Sequence, residues 1–256
     1  MRVLVLGHAG MLGRAVVQFY REKCAVGVTK YRWPSNSFKD VIRNFNGDLL
    51  INCIGAIPQK TTDFTINYGL PQFIIENLHP DTKYIHPDTD CVFDGKIAVG
   101  ELYNKRQSSN ATEEYGLSKA SIMRFQGTPS LRIVRSSVIG IDKHNQLLLS
   151  WFLSQTKAVN GYVNHYWNGI TTHAWAQMSK HIFDYWDHFD ILTQVGTVPI
   201  SKYSLLCLIK DVFNKQIKIN EAEGTHTINR CLQTDIEVAP IKQQLEELQN
   251  IYRREL

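Results

Sequence analysis

The sequence predicts an α/β fold, a doubly wound parallel sheet with a small C-terminal lobe, and three observations predict it. Short apolar runs alternate with helical periodicity through the first part of the chain, which argues for parallel strands with helices on both faces. A glycine-rich turn joins the first apolar run to the first helix. From about Asp142 the pattern becomes shorter and less regular, as expected of a lobe seated over the strand ends, where open α/β sheets bind ligands.

The elements follow in order. Arg2–Leu6 is an apolar run ending at glycine, and Leu12–Glu22 places Leu12, Val16, Phe19 and Tyr20 at helical spacing. Ala25–Thr29 is strand-like, and Leu49–Cys53, Lys83–His86 and Leu131–Val134 are further short apolar or β-branched runs. Asn67–Leu78 has the spacing of a helix. Later helices are expected at Gln146–Thr156, at Thr172–Trp186 and at Lys202–Phe213, the last capped by Ser201. Gln216–Ile219 is a short strand candidate. Pro240 opens a final helix with Ile241, Leu245, Leu248 and Tyr252 on one face. Residues 1–141, with a few later segments, are thus assigned to the sheet domain and 142–256 mostly to the lobe. Trp151, Trp167, Trp175 and Trp186 are expected to pack that lobe, with Trp167 also a candidate to stack on a sugar or base.

Composition excludes several classes. A chain of 256 residues, 43% hydrophobic and 20% charged, can bury a sufficient core and is not disordered. Lys plus Arg is 28 and Asp plus Glu is 24, without a block of five like charges, so no nucleic-acid partner is expected. Apolar runs such as Val3–Leu6 and Leu147–Leu149 are too short to cross a bilayer, and the N-terminal one is too short for a signal-peptide core. The five cysteines, Cys24, Cys53, Cys91, Cys207 and Cys231, form no CxxC pair. Neither a disulfide framework nor a zinc site is expected, and a reducing cytoplasm fits. The histidines show no HExxH pattern, and no metal is expected.

The turn Gly7-His8-Ala9-Gly10-Met11-Leu12-Gly13 has the strand–turn–helix context of a Rossmann-type dinucleotide site, in which backbone free of Cβ atoms lets a pyrophosphate approach the helix N-terminus. An acid near the end of the second strand would accept from the ribose 2′-hydroxyl of NAD. Val28-Thr29-Lys30-Tyr31-Arg32 has none. Lys30 and Arg32 can instead hold a 2′-phosphate, so NADPH is expected to be preferred over NADH.

Tyr115 and Lys119 stand four apart, on one face of a helix. Carbonyl reduction needs a proton donor, and a cation one turn away can lower a tyrosine pKa. Thr89 follows an apolar strand, at the end where sites are built, and its hydroxyl can orient a carbonyl oxygen. The neighbouring acids do not make a calcium loop, because Val92 takes the third ligand position and the glycine comes late. Asp94-Gly95 reads as a turn.

Taken together, the glycine triplet, Thr-Asp-x-Val-Phe-Asp-Gly at 89–95 and Tyr-Gly-x-Ser-Lys at 115–119 resemble the extended short-chain dehydrogenases/reductases, and within them the dTDP-4-dehydrorhamnose reductase-like branch. Asn67 before a Gly-x-Pro helix, the segment Leu131–Gly140, the Trp167–Thr172 turn, Ile200–Leu206 and Asn229–Leu232 extend the likeness over nearly the whole chain. The resemblance implies a catalytic set of Thr89, Tyr115 and Lys119. It implies that Gly7, Gly10, Met11 and Leu12 hold the pyrophosphate. Cys53, Ile54 and Gly55, after a fourth strand, would flank adenine and ribose, and Ser136, Ser137 and Val138 would lie under the nicotinamide. It offers Thr89, Asp90, Cys91, Asn168, Thr172 and Arg230 as contacts to a nucleotide-linked sugar. The implied reaction is NADPH-dependent reduction of a nucleotide-linked keto-sugar, a 4-keto-6-deoxyhexose, in glycan biosynthesis. An epimerase or dehydratase on the same fold and a non-catalytic NADP-binding regulatory subunit stay open, as does a homodimer. Two departures stand out: Cys91 replaces a frequent tyrosine, and Asn110–Glu114 replaces the usual proline and asparagine before Tyr115.

Overall fold

Strand β1 (Arg2–Leu6) is buried from Val3 onward, as a central parallel strand covered on both faces must be. Its side chains alternate: Val3 and Val5 enter one core cluster, Leu4 and Leu6 the other. In the computed structural model, which describes residues 1–255, α1 (Met11–Arg21), β2 (Ala25–Val28), α2 (Asn36–Arg43), β3 (Leu49–Asn52), α3 (Ile66–Asn77), β4 (Lys83–Asp88), α4 (Glu114–Ala120) and β5 (Leu131–Arg135) follow. The strand preceding Cys53 is therefore the third, not the fourth. Helix α2 carried no strong sequence signal, having only Phe38 and Ile42 as buried residues.

Beyond β5 come β6 (Val138–Ile139), α5 (Leu148–Ser154), β7 (Val159–Tyr162), β8 (His165–Trp167), β9 (Ile170–Thr171), α6 (Thr172–Asp184) and β10 (Leu192–Gln194). The chain ends with β11 (Ile200–Ser201), α7 (Lys202–Val212), β12 (Ile219–Ala222), β13 (Ile228–Asn229) and α8 (Ile241–Glu255). Six strands form the main sheet in the order β10-β5-β4-β3-β1-β2, every pair parallel. The chain winds outward from β1 to β2, then returns to start again on the other side at β3. This reversal opens the crevice between the carboxyl ends of β1 and β3, the place where doubly wound sheets take ligands.

One face of the sheet is covered by α1 and α6, with Val16, Tyr20, Trp175 and Ile182 against Val5, Ile51 and Ile85. The other is covered by α2 and α3, with Phe38, Ile42, Leu70 and Ile74 against Leu6, Leu50 and Ile133. A separate cluster, including Leu149, Phe152, Trp167, Leu205, Ile209 and Leu245, builds the lobe. The assignment of the tryptophans is thereby corrected in part. Trp151 and Trp167 pack in the lobe, but Trp175 and Trp186 belong to the sheet-domain core, because α6 turns back onto α1 and β10 adds the sheet's edge. The expected strand at Gln216–Ile219 begins only at Ile219, where it pairs with Val159 of β7, and α5 is shorter than the expected Gln146–Thr156 helix. No helix among the described residues is long and apolar enough to cross a membrane.

Candidate active site

The crevice between β1 and β3 is shaped by glycines. Gly7 has φ +79°, and a Cβ there would lie 2.9 Å from the Cys53 carbonyl, so glycine is required by both conformation and space. A Cβ on Gly13 would lie 2.1 Å from the Gly7 oxygen, so that residue allows the helix to pack against the turn. Gly10 caps α1 without a side chain and bonds to the Gly7 carbonyl at 3.0 Å. The first helical bond back is Arg14 N–H to Gly10 O at 3.0 Å, which leaves the N–H groups of Met11, Leu12 and Gly13 free of helical partners. No acid occupies the first turn of α1. Backbone donors, the positive end of the helix dipole and the missing Cβ atoms together suit an anionic pyrophosphate. Cys53, Ile54 and the exposed Gly55 form the opposite lip. Lys30 and Arg32 lie just past β2, both exposed, and no ion pair involves either among the described residues.

Thr89 directly follows β4 and caps the short 3-10 turn Asp90–Val92. Its hydroxyl accepts from the Cys91 N–H at 3.2 Å and donates to Asp90 Oδ1 at 3.1 Å. Helix α4 docks directly on this turn: a Cβ on Gly116 would stand 2.2 Å from the Cys91 carbonyl and 2.6 Å from Ala111 Cβ. That approach brings the Tyr115 phenol beside the Thr89 hydroxyl. Ser118 donates to the Tyr115 carbonyl at 2.7 Å and accepts from Asn67 at 2.9 Å. Asn67 also pairs with Ala56 N–H at 2.7 Å and Ala56 O at 3.0 Å, tying α4 to the loop that follows β3.

Burial pushes the Tyr115 phenol above its ordinary value, Cys91 and the Asp90 and Asp88 carboxylates add to this, and Thr89 opposes it. Lys119 turns beneath the strand end, donating to Pro87 O at 2.7 Å and approaching His86 Nε2 at 3.3 Å. Burial lowers the Lys119 pKa, and Asp88 partly restores it. Asp88 is itself buried and paired with Arg135 at 2.7 Å, while its Oδ1 has no partner.

The lobe brings two cations to this place. Arg230 donates from Nε to Phe93 O at 2.9 Å, stands 3.9 Å from Glu113 and lies 4.0 Å from the Cys91 thiol. Lys202, the first residue of α7, has its ammonium 5.6 Å from the Trp167 ring. Asp90 is raised by burial, with Lys202 and Arg230 opposing, and burial pushes the Cys91 thiol to about 12. Lys202 and His86 are the residues that motif reading missed. Lys202 stood in a segment noted only for its likeness and its Ser201 cap, and His86 read as part of a strand.

Other expected contacts are engaged elsewhere. Asn168 is 4% exposed, and its carboxamide pairs with the Leu232 backbone, accepting at 3.0 Å and donating at 2.8 Å. Thr172 is buried against Gly140, whose hypothetical Cβ would meet it at 2.5 Å. Asn168 is thus held by the Leu232 backbone, whereas Thr172 is fixed by packing over Gly140. Ser136 is buried. The Ser137 hydroxyl accepts from the Trp167 indole at 2.8 Å, and Val138 begins β6. Among the described residues no cluster of side chains could hold a metal ion. Asp94 accepts from Tyr103 at 2.7 Å in the turn expected there, with Gly95 at φ +79°.

No family model matches the chain, and no curated protein does. Solved structures share its fold over their full length. A dTDP-4-dehydrorhamnose reductase from Clostridium acetobutylicum is 16% identical with a TM-score of 0.80, covering 99% of this chain and 100% of that one. A dTDP-4-dehydrorhamnose reductase from Bacillus anthracis in complex with NADP is 13% identical with a TM-score of 0.76, covering 98% and 99%. A dTDP-glucose 4,6-dehydratase from the same organism, in complex with NAD, is 14% identical with a TM-score of 0.78, covering 99% and 97%.

Proposed function

We propose that the chain is an NADPH-dependent reductase of a nucleotide-linked keto-sugar, of the extended short-chain dehydrogenase/reductase type, with a 4-keto-6-deoxyhexose as its sugar. The observation that carries this reading is the docking of α4 on the end of β4. It sets Tyr115 beside Thr89 and Lys119 beneath them, one strand from the glycine-lined crevice. Gly7, Gly10, Met11 and Leu12 would hold the pyrophosphate, Cys53–Gly55 the adenosine, Lys30 and Arg32 the 2′-phosphate, and Ser137, Val138 and Lys119 the nicotinamide end. When bound, NADPH supplies a hydride for the carbonyl carbon.

Thr89 would orient the carbonyl oxygen, and Tyr115 would give its proton to the alkoxide as it develops. The raised phenol keeps its proton until that oxygen becomes basic. Arg230 and Lys202 give the lobe side of the site a positive field that suits a nucleoside diphosphate. A dehydratase needs a further acid or base beside the sugar. The Thr89–Cys91 turn supplies one carboxylate, Asp90, beside a Cys91 held as a thiol, and Glu113 near Arg230 is the further acid such a reading would have to use. The test is a panel of nucleotide-linked 4-keto sugars with NADPH, followed by loss of nicotinamide absorbance. Turnover of at least one member is expected, and no turnover of any would overturn the reading.

A further inference from the structure

Lys119 sits in a chain of buried polar groups that the proposed reaction leaves unused. Its Nζ lies 3.3 Å from His86 Nε2, and His86 Nδ1 lies 2.7 Å from the Tyr84 hydroxyl. His86 and Tyr84 are each 1% exposed, and Lys119 is 7% exposed. An ammonium group has three donors and accepts nothing, and burying it without acceptors is costly. Pro87 O takes one donor at 2.7 Å. A second can be taken by Nε2 only if that nitrogen carries a lone pair, which places the imidazole proton on Nδ1, toward the Tyr84 oxygen. Burial and the Lys119 charge both hold His86 neutral, as this tautomer requires.

We propose that His86 is the positioning residue of Lys119: a neutral imidazole, its tautomer set by the ammonium and accommodated by the Tyr84 hydroxyl, that keeps the buried ammonium charged and aimed while its remaining donor is left for the cofactor. The inference rests on the reading of Lys119 as a working residue. The other titratable groups facing Lys119 are Asp88 of β4, held by Arg135 of β5, and Cys53 after β3. Asp88 favours the cation, and burial keeps Cys53 a thiol. Tyr115 stands one turn away on α4. None of these replaces a direct acceptor at Nζ.

The sign of the effect follows. The ammonium is lost as pH rises through its pKa, which burial already lowers. Removing the His86 acceptor lowers that pKa further, so the alkaline limb of any Lys119-dependent property moves to lower pH. A hydrogen bond to a charged group corresponds to about one to two pH units. The test is the Lys119 Nζ titration by nitrogen-15 NMR in the full chain, with the signal assigned by its loss in Lys119→Met. His86→Leu should move the titration down by about one to two units, and His86→Gln, which places an amide oxygen near Nε2, should largely restore it. Should His86→Leu not fold, His86→Met makes the same prediction with an unbranched side chain. An unmoved titration in a folded Leu or Met variant, or a Gln variant no different from them, overturns the proposal. The alkaline limb of NADPH oxidation should shift in parallel. If the titration shifts while no sugar is turned over, the positioning role stands and the reductase reading falls.

Discussion

Gly116→Ala places one methyl group where α4 meets the Thr89 turn. The added Cβ would lie 2.2 Å from the Cys91 carbonyl oxygen and 2.6 Å from Ala111 Cβ. The first obstacle is backbone and the second is fixed to backbone, so no rotamer change relieves the overlap. Helix α4 must retreat by about 1 Å, and a misplacement of that size can cost on the order of 100-fold in rate. Tyr115 and Lys119 move with α4, whereas Thr89 and Asp90 stay with β4. Overpacking of this kind costs about 1–3 kcal/mol, offset by about 0.8–1 kcal/mol from alanine's helix propensity. Turnover should therefore fall far more than stability. Gly69→Ala is the control, because it too lies in a helix but its Cβ would meet nothing within 4 Å. It should gain roughly 0.5–1 kcal/mol and keep the parent rate. NADPH oxidation, cofactor binding by fluorescence and thermal melting separate the cases. A Gly116→Ala protein that turns over at the parent rate would refute the claim that this contact sets the catalytic geometry.

The remaining perturbations divide the site by role. Tyr115→Phe keeps the ring and removes the proton donor, so turnover should drop about 10²–10⁴-fold with NADPH affinity within a few-fold; a fully active variant rejects the mechanism. Lys30→Ala combined with Arg32→Ala should erase the preference for NADPH, since a charge-assisted bond is worth about 1.5–3 kcal/mol. Calorimetric titration of both cofactors reads it, and equal affinity in the parent protein would sink the idea. Asn168→Ala orphans the Leu232 N–H and carbonyl at about 1–3 kcal/mol per group, so its melting temperature should fall. Arg230→Ala should instead weaken binding of free nucleoside diphosphate, with a smaller fall in melting because only the Phe93 carbonyl loses its partner; the reverse pattern would exchange their roles.

Much of the sheet domain was legible because its signals are local. A turn that needs positive φ and no Cβ writes glycine at positions 7 and 13, and a helix start writes Ser201, whose hydroxyl accepts from the Ser204 N–H at 3.0 Å. Strands β7 and β8 and edge strand β10 left weaker marks. They span three or four residues, and pairing with distant partners makes them strands more than any periodicity does. Trp175 illustrates the same limit in a helix. Its spacing announces a buried face on α6, but an apolar face looks alike whether it packs on the lobe or on α1, and here it packs against the sheet domain.

The site divides along a similar line. Thr89, Tyr115 and Lys119 could be read because their chemistry is carried by residue type and short spacing. Asn168 and Thr172 have side chains equally able to meet a sugar, yet Asn168 already pairs with the Leu232 backbone and Thr172 is packed over Gly140. Lys202 and His86 gave no such notice. A lysine at a helix start reads as a solvated cation until α7 folds it toward Asp90 and Trp167. A histidine inside an apolar strand reads as packing until a buried ammonium comes within 3.3 Å. Residue type states what a side chain can donate or accept; burial decides whether that capacity is already spent. The groups with capacity left for a ligand are those whose neighbours leave a donor, an acceptor or a charge unmatched, and those neighbours arrive from elements distant in the chain.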